Sequence, residues 1–171
     1  MGLVQVYTGE GKGKTTAALG LAVRALGHGR RVLLVRFLKP GEPASGEVLF
    51  LQGVAGVEIL TSGLGVLARS HDRQAVRESI AATFAEARRR ILAGECDLAI
   101  FDEINNVLHR QLLSLDELLR LIAELPAPVE LVLTGRNAPP ELIECADLVT
   151  RMEKVKHPFE VGIGAREGIE F

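Results

Sequence analysis

A glycine- and lysine-rich run near the start of the sequence carries the residues with the clearest chemistry. The run is Gly9-Glu10-Gly11-Lys12-Gly13-Lys14-Thr15-Thr16. Its segment Gly13-Lys14-Thr15 fits the end of the P-loop pattern G-x-x-x-x-G-K-[ST], whereas Thr8 occupies the place of the first glycine. Glycines let backbone N–H groups turn inward around an anion, and Lys14 adds a full positive charge. We therefore predict a shortened P-loop in which all eight residues of the run contribute to binding the triphosphate of ATP.

Two adjacent carboxylates, Asp102 and Glu103, follow the apolar run 98–101. In P-loop enzymes a carboxylate at a strand end approaches the Mg²⁺ ion that accompanies the triphosphate. The hydroxyl of Thr15 is a further oxygen ligand for this ion. The alternative is a pair of exposed acids, or a cap for the next segment. We favour a magnesium site formed by Thr15, Asp102 and Glu103; the pattern does not distinguish which acid contacts the metal.

Three cations outside the loop are further candidates for contact with the nucleotide. Arg136 follows Thr134-Gly135 at the end of an apolar run, where its guanidinium can reach a phosphate oxygen. Arg24 falls on the segment after the loop, and Lys39 follows the second apolar run. Each of the three can instead be a solvated surface charge. His157 is consistent with either a functional or a hydrogen-bonded structural histidine.

Short apolar runs alternate with segments of helical periodicity along the whole chain. The pattern predicts strands at 3–7, 31–37, 57–60, 97–102, 129–133 and 148–152, and helices at 15–26, 71–92, 114–125 and 139–146. Residues 39–46 are rich in Pro and Gly and predict a loop. This alternation favours one α/β domain over residues 1–171, a P-loop fold with a mainly parallel sheet and helices on both faces. Ligands bind such sheets at the carboxyl ends of the strands, where the candidate residues fall.

Composition restricts the class of protein. The 171 residues carry 20 basic and 22 acidic side chains, for a net charge of -2, which gives no basic surplus for binding nucleic acid. Cys96 and Cys145 lie far apart without a Cys/His cluster, so we expect neither a zinc site nor a disulfide. The sequence has no signal-peptide pattern and no apolar stretch of membrane-spanning length. We expect a soluble cytoplasmic protein that does not bind a membrane.

These motifs, in this order, resemble the P-loop type of corrinoid adenosyltransferase over essentially the full length of the chain. The matching segments are Val6–Ala18, Arg24–Gly29, Phe37–Lys39, Asp102–Ile104, Leu133–Arg136, Lys156–Phe159, Gly162–Ile163 and Gly168–Phe171. The resemblance implies transfer of the 5′-deoxyadenosyl group of ATP to Co(I) of a reduced corrinoid, with release of triphosphate. It also implies a homodimer and leaves room for an electron-donor protein as a partner.

The resemblance further implies roles for individual residues. It implies that the nucleotide is reversed relative to ordinary P-loop NTPases, and that Thr15 and one of the two acids serve Mg²⁺. Arg24 and Lys39 are implied to lie near the nucleotide, and Arg136 matches a motif residue whose role stays open. Because Co(I) is itself the nucleophile, the reaction needs no general base. Lys14 and Glu103 are the predicted catalytic residues. The departing triphosphate must have its charge stabilised, which Lys14 does directly and Glu103 through the Mg²⁺ ion that it is implied to serve.

The sequence departs from the family where aromatic residues often lie against the corrinoid, in a Gly-Phe-Thr-Trp stretch. Here the corresponding run is Ser62-Gly63-Leu64-Gly65-Val66-Leu67, and the protein has no tryptophan. Leu64 and Val66 are the predicted corrinoid contacts, although they bury less area than aromatic side chains. They can alternatively be core residues of a loop that packs elsewhere.

Two other functions remain open from the residues alone. A P-loop ATPase or small-molecule kinase would cleave ATP at the γ-phosphate. A non-catalytic module would bind ATP and corrinoid without forming a cobalt–carbon bond.

Overall fold

The computed structural model describes residues 2–39, 45–63 and 73–170. Within these ranges the strands are β1 Val4–Thr8, β2 Val32–Arg36, β3 Val57–Thr61, β4 Leu98–Asp102, β5 Glu130–Thr134 and β6 Leu148–Arg151. They form one six-stranded sheet in the order β3-β2-β4-β5-β1-β6. Every pair of neighbouring strands is parallel. The predicted α/β fold with a parallel sheet is therefore confirmed.

Six α-helices and one short 3-10 helix connect and follow the strands in the described ranges. They are α1 Lys14–Gly27, α2 Gly46–Leu51, α3 Arg73–Leu92, α4 Ile104–His109, α5 Leu115–Ala123 and α6 Pro140–Cys145, with the 3-10 helix at Pro158–Val161. The sequence pattern missed α2, α4 and the 3-10 helix, because six residues or fewer span less than two helical turns and show no clear periodicity. Helix α6 is equally short, but Pro139 and Pro140 indicated where it begins. No helix in the described ranges is long and apolar enough to cross a membrane.

Helices cover both faces of the sheet, and the central strands alternate between two apolar clusters. Leu33 and Val35 of β2 pack into the cluster formed with α3, α4, α5 and α6. Val32 and Leu34 point to the opposite face, where the cluster includes α1 and the end of α2. A parallel strand that is buried on both faces must be apolar throughout, which explains the apolar run of β2.

Strand register places the candidate residues at one edge of the sheet. Tyr7 of β1 pairs with Thr134 of β5, and Phe101 of β4 pairs with Leu133 of β5. The residues that follow these strands therefore emerge side by side, as the carboxyl ends of parallel strands do. The sheet thus brings the glycine-rich loop, the two acids and the segment of Arg136 to the same place.

Candidate active site

A cleft of about 1030 Å³ lies at the carboxyl edge of the sheet. Its lining includes the loop residues Gly11, Lys12, Gly13, Lys14, Thr15 and Thr16. Lys39, Glu103 and Arg136 line it from the neighbouring strand ends. Along α1 the cleft continues over Leu19 and Val23, so it combines a charged end with an apolar wall.

The start of α1 is built to receive an anion. Gly13 precedes the helix with φ 115°, a backbone conformation that favours glycine. The first N–H groups of a helix have no partner inside it, and they carry partial positive charge. The ammonium of Lys14 folds back over the loop and donates to the carbonyl oxygens of Gly9 (2.7 Å) and Gly11 (2.6 Å). The loop and its lysine therefore form a compact pocket for phosphate oxygens.

Gly9 and Gly11 have a packing role that the P-loop pattern does not reveal. The Gly11 N–H donates to the carbonyl oxygen of Met152, at 2.7 Å. A Cβ on Gly11 would meet the carbonyl oxygen of Glu153 at 2.6 Å, and one on Gly9 would collide with the backbone of Met152. Thr8, which replaces the first P-loop glycine, accepts the Ala138 N–H at its hydroxyl (3.3 Å). Gly9 and Gly11 are thus required because the backbone of Met152 and Glu153, directly after β6, packs against the loop.

Asp102 connects the loop to the neighbouring strand. Its Oδ1 atom accepts hydrogen bonds from the hydroxyls of Thr15 and Thr134, both at 2.7 Å. Asp102 is 2% exposed and Thr134 is 1% exposed. The Thr134 hydroxyl in turn accepts the backbone N–H of Glu103, at 3.0 Å. One oxygen of a buried carboxylate thus accepts both hydroxyls, and Asp102 orients Thr15 from below the cleft.

Glu103 points to the cleft from an unusual backbone conformation. Its φ is 68°, in the left-handed region that non-glycine residues seldom adopt. The carboxylate accepts a hydrogen bond from the side-chain amide of Asn106. Its other oxygen lies 3.9 Å from the ammonium of Lys39. Strained backbone is frequent at functional sites, and here it directs the second acid away from the buried position of Asp102.

Arg136 reaches the cleft from the turn after β5. Its guanidinium lies 3.4 Å from the carboxylate of Glu10, and both side chains are more than half exposed. Arg136 also acts on Lys14. Burial and then the nearby Arg136 lower the pKa of Lys14, while Glu103, Glu10 and Asp102 oppose this decrease. An incoming polyanion would relieve this repulsion between cations.

The tail of the chain lies across the other side of the loop. The ammonium of Lys12 donates to the carbonyl oxygen of Ile169 (3.1 Å) and to the carboxylate of Glu170 (2.9 Å). Hydrogen bonds from Arg166, and then from Lys12, lower the pKa of Glu170 to about 2. Glu170 is therefore a carboxylate anion that forms an ion pair with Lys12, one of the two lysines of the phosphate loop.

Not every predicted residue is placed in the cleft. Gly9 and Glu10 line a neighbouring cavity beside Met152, and Asp102 lies beneath the cleft without lining it. Val23 lines the cleft, but Arg24 does not. Leu64 and Val66 lie outside the described residues, and their contact with a corrinoid stays a prediction.

Some residues that line the cleft were missed or undecided from the sequence. Asn106, His109 and Arg110 line it from α4 and the residue after it, and they were not predicted because α4 was not recognised. The signal was the short apolar-polar run directly after the two acids. His157 also lines the cleft, and its Nδ1 atom accepts the Phe159 N–H at 3.2 Å, which caps the 3-10 helix.

Comparison with known proteins agrees with this site. The model of the ATP:corrinoid adenosyltransferase family BtuR/CobO/CobP matches residues 1–171. The chain belongs to this family. The corrinoid adenosyltransferase of Pseudomonas aeruginosa is 38% identical over 170 residues, which cover 99% of this chain and 84% of that protein. The one from Escherichia coli K12 is 34% identical, with coverage of 99% and 86%.

Family membership confirms the predicted activity class, an ATP:corrinoid adenosyltransferase, and disfavours the kinase and ATPase alternatives. Solved structures support the fold alone. The flagellar accessory protein FlaH of Methanocaldococcus jannaschii aligns with a TM-score of 0.58 at 14% identity, over 88% of this chain and 70% of that chain. A KaiC-like protein of Pyrococcus horikoshii OT3 aligns with a TM-score of 0.56 at 18% identity, over 88% and 71%.

Proposed function

We propose that the cleft binds ATP with its triphosphate on the loop and presents C5′ to the cobalt of a reduced corrinoid. In this reaction the electron pair of Co(I) forms the cobalt–carbon bond. The C5′–O bond breaks, and its electron pair leaves on the triphosphate. The observation that carries the proposal is the concentration of phosphate-binding groups in a cleft where Lys14 and the start of α1 converge.

The chemistry required of the protein is binding, orientation and stabilisation of charge. Co(I) needs no proton removed from it, so a general base is unnecessary. The leaving triphosphate gains negative charge, which the N–H groups of the loop, Lys14 and Arg136 stabilise. Holding C5′ at the correct distance from cobalt further increases the rate, because the two reactants then react as one bound complex instead of meeting by diffusion.

The residues at the strand ends fit a Mg²⁺ ion. Magnesium prefers oxygen ligands and is commonly bound by one or two carboxylates, a hydroxyl and substrate phosphates. Asp102 and Thr15 are joined through a short hydrogen bond, and Glu103 lines the cleft beside them. We propose that Thr15 and Glu103 face the ion and that Asp102 holds Thr15 in place. When bound, Mg²⁺ would neutralise charge on the triphosphate.

The apolar wall of α1 is proposed to accept the nucleoside. Leu19 and Val23 line this part of the cleft, and Val23 is 55% exposed. Gly20 lies between them, and a Cβ added to it would meet no atom within 4 Å, so a flat ring can approach the helix. We also propose that the nucleotide is reversed relative to ordinary P-loop NTPases and that Lys39, which lies 3.9 Å from Glu103, is near it.

The assembly and location of the protein are also proposals. We propose a cytoplasmic homodimer that receives electrons for cobalt from a donor protein. Apolar side chains in the tail support an interface, because Phe159 is 76% exposed and Val155 is 92% exposed. Sedimentation analysis of the full chain would distinguish a dimer from a monomer.

Anaerobic mixing of the protein with ATP, Mg²⁺ and cob(I)alamin tests the reaction. We expect the visible spectrum of adenosylcobalamin to appear, and phosphorus NMR to show triphosphate as the product. The Lys14→Ala variant is the matched control for phosphate binding. ADP and phosphate as the sole products would replace the proposal by an ATPase, and binding without any product would replace it by a non-catalytic module.

A further inference from the structure

The side-chain amide of Asn106 connects the two strand ends that form the charged part of the cleft. Its Nδ2 atom donates to the carboxylate of Glu103, which follows β4. Its Oδ1 atom accepts the backbone N–H of Arg136, which follows β5, at 3.1 Å. One planar group therefore holds the acid on the metal side and the segment that carries the arginine on the phosphate side.

The turn after β5 is packed directly against the start of α4. Gly135 has φ 128°, and a Cβ there would meet the Cβ of Asn105 at 3.0 Å and the backbone nitrogen of Asn106 at 3.1 Å. The amide of Asn105, which is fully buried, donates to the carbonyl oxygen of Gly135 at 3.1 Å. Consecutive asparagines thus hold the carbonyl oxygen and the N–H of one peptide unit, the unit that joins Gly135 to Arg136. This contact fixes the backbone from which the exposed side chain of Arg136 extends.

Glu103 depends on the same helix start. Its carbonyl oxygen accepts the N–H groups of Asn106 (3.1 Å) and Val107 (3.2 Å), which stabilises its left-handed backbone. Without a partner for the carboxylate, the side chain would be free to choose among its rotamers. The Asn106 amide restricts that freedom by binding Oε2 of Glu103, the carboxylate oxygen other than the one near Lys39.

We propose that Asn106 is a positioning residue that fixes Glu103 and Arg136 relative to each other. The proposal rests on the function proposed above for the cleft. Both atoms of an amide are needed, because one donates to a carboxylate and the other accepts from an N–H. Aspartate offers acceptors alone and would repel Glu103, whereas leucine has a similar shape and offers neither group. Asn106→Leu therefore tests loss of the bridge, meaning the two hydrogen bonds that Asn106 makes to Glu103 and Arg136. Asn106→Asp tests in addition the effect of a negative charge next to Glu103.

The test uses Asn106→Leu and Asn106→Asp in the full chain, assayed anaerobically with ATP, Mg²⁺ and cob(I)alamin. A displacement of a catalytic group by about 1 Å can cost about a hundredfold in rate. We expect kcat to fall at least tenfold in both variants, and the Mg²⁺ concentration for half-maximal rate to rise, most in Asn106→Asp. The KM for ATP should change less than threefold, because the loop is untouched. Gln52→Leu, which likewise replaces a side-chain amide by leucine but at an exposed site, should leave all three values unchanged.

Combined variants show whether Asn106 acts through the two residues that it touches. In a background that carries both Glu103→Gln and Arg136→Ala, Asn106→Leu should lower kcat less than twofold further. A full tenfold loss in that background, or wild-type kcat and Mg²⁺ dependence in both single variants, would overturn the proposal. Thermal unfolding monitors the fold of each variant.

Calorimetric titration with ATP at several Mg²⁺ concentrations distinguishes failure of this proposal from failure of the proposed function. It reports the Mg²⁺ dependence of ATP binding even if the wild type transfers no adenosyl group. We expect ATP affinity to increase less with Mg²⁺ concentration in Asn106→Asp than in the wild type. The same increase in both proteins would contradict the positioning role of Asn106.

Discussion

The cleft has two sides that are held by different forces. At the strand ends, Asp102 and Thr134 are almost completely buried and are joined by a 2.7 Å hydrogen bond. On the tail side, Lys12 and Glu170 form a 2.9 Å ion pair, with side chains 47% and 22% exposed. Buried polar groups are costly to leave unpaired, whereas exposed ion pairs contribute little and are screened by salt. We infer that the strand ends form a fixed frame and that the tail is an adjustable contact.

Removing the central carboxylate of the buried side should have the largest effect. In Asp102→Ala the hydroxyls of Thr15 and Thr134 lose their shared acceptor. We expect adenosyl transfer to fall by about a hundredfold or more, and unfolding in urea to show a loss of about 1–3 kcal/mol, the usual cost of leaving a buried polar group unsatisfied. Unchanged stability would show that water replaces the carboxylate and that the frame is not rigid.

Truncating the loop lysine should weaken ATP binding next most strongly. Lys14→Ala removes a charge-assisted contact with phosphate worth about 1.5–3 kcal/mol, so the affinity measured by calorimetry should fall at least tenfold. Burial lowers the pKa of Lys14, and a bound phosphate favours its charged form. ATP affinity of the wild type should therefore decrease as pH rises through that pKa, and this decrease should be smaller in the variant. A folded variant with wild-type affinity would contradict the assignment of the loop.

The second acid tests the division between the buried and the cleft-facing carboxylate. Glu103→Gln retains the size of the side chain but removes its charge, so we expect reduced turnover that higher Mg²⁺ concentrations partly restore. The Glu103 side chain is not part of the buried contact between Asp102 and Thr134. The free energy of unfolding should therefore decrease less in Glu103→Gln than in Asp102→Ala. A magnesium requirement altered by Asp102→Asn alone would reverse the roles that we propose for the two acids.

The tail contact should give the smallest effect and the strongest dependence on salt. Glu170→Gln removes the anion that occupies Lys12, so ATP should bind about twofold more tightly at low ionic strength. At about 1 M salt the Debye length falls to about 3 Å, and the difference should disappear. Glu167→Gln, on a neighbouring exposed residue, is the control. Weaker ATP binding in Glu170→Gln would instead make the tail a part of the binding surface.

Local sequence determined the parts of this protein that depend on neighbouring residues. The run from Gly9 to Thr16 specified a phosphate loop, because its glycines and lysines must lie at fixed spacing around the start of a helix. Alternation of apolar runs with helical periodicity was sufficient for a parallel α/β sheet, and the parallel sheet required Asp102, Glu103 and Arg136 to lie at one edge. The family resemblance then indicated the reaction.

Tertiary structure alone decided which of these residues are buried, bridged or held by the tail. The pairing of Lys12 with Glu170 spans 158 positions, and the bridge from Asn106 to Arg136 spans 30. Residues adjacent in sequence were assigned opposite positions, since Asp102 is enclosed and Glu103 turns to the cleft through its left-handed backbone. The demand for glycine at Gly11 likewise comes from Glu153. Such contacts follow from strand order and packing, which periodicity and spacing along one chain do not encode.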